Sequence, residues 1–388
     1  QDQGYYAYVY MPSDSSAFYF FITVNGVIYD VYDNNINGLD VSNYTEEQIY
    51  ILVDKNTHQY CLPYLLNDLL ERYGWRIPNA HIFTIAAGEE YKTIDTVVSL
   101  WHALVQNKAT RRSLLINLGG GVVTDLGGFV ASTYRRGIDY INVPTTLLSM
   151  IDAGFGGKTG FDFDGLKNEI GTFYPPKDTW IIPYFLRTLP REEILSGYAE
   201  LIKHTLLSSQ KAFDDALSKI DLFIHLDSAN DDNLSTCERI IWDSIRVKQQ
   251  IVAIDPIENN IRKSLNFGHT IGHALEELSL AKGNPMRHGY AVMYGLLIEL
   301  YLSSKLMGLD NMVMEKVAKI ISKYYGDLQY SIDDMGVIFE FMINDKKNNT
   351  INEINFTLLS AIGCYKVNQI VSKEQIEQSF WMESIEMK

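Results

Sequence analysis

Two histidines four residues apart, His269 and His273, stand in the stretch Asn266-Phe-Gly-His-Thr-Ile-Gly-His-Ala-Leu-Glu276. On a helix, that spacing puts both imidazoles on one face, about one turn apart. Neutral imidazole is a common metal ligand near neutral pH. His288 follows in Met-Arg-His-Gly, and a carboxylate, Glu200, lies upstream in Gly-Tyr-Ala-Glu-Leu-Ile-Lys. A glutamate with two of these histidines would be an ordinary set for a catalytic zinc that keeps one position open. The plainer alternative is a helix whose histidines merely pack or cap, and spacing alone does not decide between them.

A second group could hold an anion. Ser113-Leu-Leu-Ile-Asn-Leu118 runs straight into Gly119-Gly-Gly-Val-Val-Thr-Asp125-Leu-Gly-Gly128. A glycine-rich turn between a buried strand and a helix lets backbone N–H groups approach a phosphate, with the helix N-terminus adding favourable electrostatics. The string is not GxGxxG, so the usual dinucleotide fingerprint is absent. Further on, loops gather Arg136, Lys158, Lys167 and Asn168 among glycines. Basic side chains on such loops suit an anionic substrate.

The elements that must position these residues fall into two kinds. Ile49–Val53, Ile82–Ile85 and Ser113–Leu118 read as buried strands separated by helical runs, the pattern of a parallel sheet with crossover helices. Beyond Leu189-Pro190 the chain is mostly helix-periodic, over roughly 191–208, 210–226, 235–254, 267–281, 288–307, 312–325 and 334–344, with a strand-like run at 352–359 and a final helix near 373–385. The expected organisation is a β-hairpin extension (1–45) packed on the sheet edge, an α/β domain (46–180) and a helical domain (181–388). Residues 1–45 contain no Lys or Arg, are rich in Tyr, and carry an Asn25-Gly26 hairpin signal.

Composition narrows the function. Thirty-three basic against 48 acidic residues give −15 at pH 7, which argues against a general nucleic-acid or anionic-membrane binder. Cys61, Cys237 and Cys364 are too few and too scattered for a disulfide framework or a CxxC metal site, so a reducing cytoplasm is expected. No 18-residue apolar run predicts a transmembrane helix, and no signal peptide is expected at the N-terminus.

With these residues in view, the chain from about Ile49 onward resembles the 3-dehydroquinate synthase family of sugar phosphate cyclases. The resemblance lies in ordered strings: GGGVVTDLGGF, TYRRG, VPTTLL, GGKTG, GLKNEIG, SGYAELIKH, LNFGHTIGHALE, HGYAV and DKKN. Two departures are Tyr290, where many members carry Glu, and Pro183-Tyr184, where the family often has Asp-Thr.

The resemblance implies a Rossmann-like α/β domain binding NAD and an all-α C-terminal domain binding zinc or cobalt through Glu200, His269 and His288. It implies conversion of 3-deoxy-D-arabino-heptulosonate 7-phosphate to 3-dehydroquinate and phosphate. The implied steps are transient oxidation by NAD, phosphate elimination, re-reduction and intramolecular aldol closure. Lys248 and Arg262 are the implied clamp for the substrate carboxylate; Arg136, Lys158, Lys347 and His273 lie toward its phosphate, with Asn266 close by. Asp152, Lys203, Asn168 and Lys167 surround the hydroxyls and metal. For NAD the candidates are Asp54, Glu89, Lys92, Gly120, Gly121, Asp125, Thr145, Thr146 and Thr188, with Lys167 counted beside them. The resemblance also suggests a homodimer. The competing readings are another cyclitol synthase of the superfamily, or a metal-dependent alcohol dehydrogenase.

Overall fold

A computed structural model describes residues 5–10, 19–24, 27–30, 41–164, 166–226, 231–255, 258–328, 330–344 and 354–386. Its strands in chain order are β1 (Tyr5–Tyr10), β2 (Tyr19–Val24), β3 (Val27–Asp30), β4 (Ile49–Asp54), β5 (Ile82–Ile85), β6 (Leu114–Gly119), β7 (Asp139–Pro144), β8 (Lys158–Phe163), β9 (Leu166–Phe173), β10 (Asp178–Thr179), β11 (Asn355–Ala361) and β12 (Cys364–Ile370). The helices are α1 (Lys55–Tyr60), α2 (Leu62–Tyr73), α3 (Ile94–Gln106), α4 (Gly121–Thr133), α5 (Arg191–Leu206), α6 (Gln210–Ile224), α7 (Asp231–Ile254), α8 (His269–Ala281), α9 (His288–Met307), α10 (Asn311–Ile320), α11 (Met335–Asn344) and α12 (Lys373–Glu386). They form two compact units, one of residues 34–194 and 225–241, the other of 1–33, 195–224 and 242–388.

The first unit is built on a parallel sheet of order β10-β7-β6-β4-β5. All six residues of β6 are buried, as are the first five of β4. Such unbroken apolar strands need cover on both faces, which the crossover helices provide. Helix α3 buries Val97, Leu100 and Leu104, one stripe at helical spacing. With Val123, Leu126 and Val130 of α4 they pack on Leu52 and Leu115. Each such side chain contributes about 1.5–3 kcal/mol on burial.

Residues 158–173, expected as loops, form an antiparallel hairpin, β8 with β9. Two glycines of these motifs sit inside the paired strands, where Gly160 faces Gly171. The turn itself falls at Asp164, whose φ is +51°.

The second unit is helix-rich, and its helices lie close to the ranges expected from periodicity. The strand-like run near 352–359 becomes β11, so the unit is not all-helical. The hairpin of β11 and β12 continues into β1, β2 and β3, giving a five-stranded antiparallel sheet. The N-terminal strands were expected at the edge of the parallel sheet; instead β1 pairs with β12, Tyr5 opposite Tyr365. Periodicity identifies a strand but not its partner, because any exposed edge offers the same backbone groups. The Asn25-Gly26 turn lies outside the described residues.

The units part between Ile194 and Leu195 rather than near 180. The segment after β10 stays with the sheet unit because Tyr184 stacks on Tyr64 of α2 at 4.8 Å and Phe185 meets that ring edge-on at 5.4 Å.

Candidate active site

In the helix-rich unit, Glu200 sits on α5, fully buried, among cationic and imidazole groups. Its Oε1 lies 3.2 Å from His269 Nε2 and 3.7 Å from His288 Nε2, and its Oε2 contacts Lys203 Nζ one turn along the same helix. His269 and His288 are the first residues of α8 and α9. Burial by itself would raise the Glu200 carboxyl, but the Lys203 ammonium and the His269 imidazole hold it well below the usual carboxylate range.

The geometry suits a divalent ion. One carboxylate oxygen and one nitrogen from each of these histidines all lie within 4.8 Å of one another, yet neither oxygen of Glu200 has a hydrogen bond of regular geometry although both are buried. A buried carboxylate oxygen and two imidazole nitrogens converging on one point are the donor chemistry of an open three-ligand site. His273 joins the cluster as a third ring, centred 5.4 Å from His269 and 6.0 Å from His288.

Glu276 had no assigned role. Its Oε2 pairs with His288 Nδ1 at 3.0 Å, leaving Nε2 directed at Glu200. A carboxylate behind a ligating histidine fixes its tautomer and ring orientation. The signal was available: Glu276 is three residues after His273 and seven after His269, hence on their helix face. Burial would lower His288, but Glu200 and Glu276 raise it to about 9.

The same unit holds Lys248 and Arg262, both buried. Arg262 lies in a 3-10 turn, Ile261–Asn266, anchored by Asp255. The Asp255 carboxylate accepts the backbone N–H groups of Asn259 (2.9 Å), Asn260 (2.6 Å) and Arg262 (3.1 Å). Asn266 closes the turn, donating from Nδ2 to Glu258 Oε1 at 2.8 Å. Lys347 lies outside the described residues.

In the sheet unit, the predicted nucleotide residues gather beyond the carboxyl ends of parallel strands, where α/β sheets bind ligands. Asp54 ends β4, Gly120 and Gly121 follow β6, and Thr145 and Thr146 follow β7. Gly120 is the N-cap of α4 and brings no side-chain acceptor to its first turn, which leaves backbone donors of the kind that receive phosphate. Lys92 is buried and donates to Asp125 Oδ2 at 2.7 Å and to Asn168 Oδ1 at 2.6 Å, with Glu89 3.8 Å away. Burial would lower the Lys92 ammonium, yet Asp125 and Glu89 hold it above its ordinary value. Asn168, expected toward substrate, is thereby joined to the predicted nucleotide group.

Some predicted residues are committed locally. Asp54 caps α1, its Oδ1 accepting from Thr57 N–H at 2.8 Å. Thr146 pairs with Ser149 through their hydroxyls at 2.8 Å, and Thr188 donates to the Phe185 carbonyl at 3.3 Å. Lys158 and Lys167 are exposed on the β8–β9 hairpin, and Arg136 is exposed with φ +66°. Asp152 lies in the π-helical turn Ser149–Ala153.

Comparison with known proteins agrees with this layout. Residues 82–196 match the family model described as 3-dehydroquinate synthase N-terminal, and 197–348 match 3-dehydroquinate synthase C-terminal. The 3-dehydroquinate synthase of Parabacteroides distasonis is 45% identical over 340 residues, covering 87% of this chain and 92% of that protein. That of Campylobacter jejuni (strain RM1221) is 35% identical over 348 residues, covering 90% and 95%. Among solved structures, 2-epi-5-epi-valiolone synthase from Streptomyces hygroscopicus subsp. jinggangensis, with NAD+ and Zn2+ bound, shares the fold at TM-score 0.76 and 24% identity, covering 87% of this chain and 91% of that one.

Proposed function

Because the chain belongs to the 3-dehydroquinate synthase family, we propose that it converts 3-deoxy-D-arabino-heptulosonate 7-phosphate to 3-dehydroquinate and phosphate. The observation that carries this reading is the convergence of Glu200, His269 and His288 in a unit that also buries Lys203, Lys248 and Arg262. An acidic protein that buries such cations fits a substrate bearing both carboxylate and phosphate.

Bound NAD would supply reversible hydride acceptance at carbon 5 of the substrate, and a zinc or cobalt ion would supply Lewis-acid polarisation of the oxygens on carbons 4 and 5. Glu200, His269 and His288 would hold the ion, with Glu276 keeping His288 Nδ1 engaged and Nε2 free to serve as ligand. Lys203 balances the Glu200 charge and donates toward the substrate hydroxyls, from which Asp152 accepts. Arg262, held by Asp255, and Lys248 clamp the carboxylate; Arg136, Lys158, Lys347 and His273 serve the phosphate, with Asn266 beside it. The phosphate itself can take the acidified proton, so orientation rather than a strong protein base is what the chain contributes. Gly120 and Gly121 face the pyrophosphate of NAD, and Asp54, Glu89, Lys92, Asp125, Thr145, Thr146, Lys167 and Thr188 complete its site. The three thiols support a cytoplasmic setting, and the family resemblance supports a homodimer.

The test is to give the metal-loaded protein the heptulosonate phosphate with catalytic NAD and follow both products. Phosphate and dehydroquinate without net NADH are expected. Turnover of a different sugar phosphate in its place would favour another cyclitol synthase, and steady NADH production would favour a dehydrogenase.

A further inference from the structure

Glu299 is fully buried on α9, eleven residues after His288. Eleven residues make about three turns, so both side chains leave the same side of the helix. That side meets α8, which runs the opposite way. At one end Glu276 of α8 holds His288 of α9; at the other, Glu299 Oε2 accepts the Gly268 N–H at 2.7 Å and its Oε1 accepts the Ile271 N–H at 3.4 Å. Gly268 is the N-cap of α8, with φ +80° and no side chain to satisfy the orphan donors of the first turn. Glu299 supplies that cap from the neighbouring helix, and a carboxylate there is also favoured by the helix dipole. The two backbones are tight at this crossing: a Cβ on Gly295, one turn before Glu299, would fall 2.0 Å from the Gly268 carbonyl oxygen. His269 is the residue that follows Gly268.

We propose that Glu299 is a positioning residue for the metal centre, a charged cap that sets the height and rotation of His269 relative to His288. The two helices are stitched by one carboxylate at each end, and the imidazole cluster lies on the stitched pair. This inference rests on the metal-binding reading above.

Cobalt(II) tests it, through visible absorption and through competition with a chelator. The wild-type chain is expected to bind cobalt with a d–d band. Glu299→Gln keeps the shape but turns an amide N–H₂ toward one of the two backbone donors; roughly tenfold weaker cobalt retention and an altered band are expected. Glu299→Ala should weaken retention about a hundredfold, the upper end for residues that support metal ligands. If wild type binds no cobalt, the metal reading fails and this inference with it. If wild type binds cobalt and both variants melt earlier but keep its affinity and band, Glu299 is only a structural cap and the inference is overturned. Should the alanine variant not fold, Glu299→Gln decides by the same two readouts.

Discussion

His288 stands between two carboxylates on different helices, 3.7 Å from Glu200 and 3.0 Å from Glu276. In the proposed metal site the first is a fellow ligand and the second a support, and the distinction gives different consequences on substitution. His269→Ala should abolish retention of zinc through gel filtration, measured as metal per chain. His273→Ala should keep the metal but lower kcat roughly 10²-fold, as for loss of a positioned proton-transfer or hydrogen-bonding group. Glu276→Gln should retain the site with metal affinity reduced about 10–100-fold. A pH dependence follows. A ligand must be a neutral imidazole, while in the metal-free chain His288 is raised to about 9. Below that value protons compete with the ion, so apparent metal affinity should fall about tenfold per pH unit of acidification and level off above it. Chelator titrations between pH 6 and 10 would show a flat line if His288 were not a ligand.

At the scale of elements, the turn that carries Arg262 depends on one side chain. Asp255 accepts three backbone N–H groups; burial would raise its carboxyl, but the N–H groups of Asn260, Asn259 and Arg262 hold it below its ordinary value. A depressed carboxyl contributes stability above the unfolded value near 3.8, and that contribution is lost as pH falls through the lower folded value. Asp255→Ala should therefore cost about 1–3 kcal/mol at neutral pH, the penalty for a buried donor left unsatisfied, and much less in acid. Because the turn presents Arg262, the same change should raise KM for the substrate at least tenfold with a smaller effect on kcat. A lowered melting temperature with unchanged KM would separate the turn from substrate binding. The β8–β9 hairpin carries the opposite lesson about elements. Lys158 and Lys167 look like loop residues because glycines flank them, but a glycine facing a glycine across a ladder, as Gly160 does Gly171, is a strand pairing.

For the molecule as a whole, a bound ion should couple to folding, since its proposed ligands come from the starts of two helices and the middle of a third. An ion that binds the folded state alone at 100 times its Kd adds about 2.7 kcal/mol. Thermal melts should rise on adding zinc and fall back on chelation, whereas the His269→Ala variant should melt at one temperature in both conditions. Much was legible from local order alone. The unbroken apolar strands 49–53 and 113–118 require a covered parallel sheet, and the helices beyond 190 follow from apolar spacing, since burial is local in sequence on a helix face. The spacing of His269 and His273 likewise puts them on one helix face, and the order of motifs identifies the family. Spacing could not say which histidine turns to Glu200, because that depends on where α5 and α9 pack against α8. Nor could it find Glu299, thirty-one residues from Gly268, or seat β1 on β12, 360 residues away from Tyr5 to Tyr365. Hydrogen bonds between distant segments leave no periodic trace; they exist only once the tertiary structure has brought the donors and acceptors together.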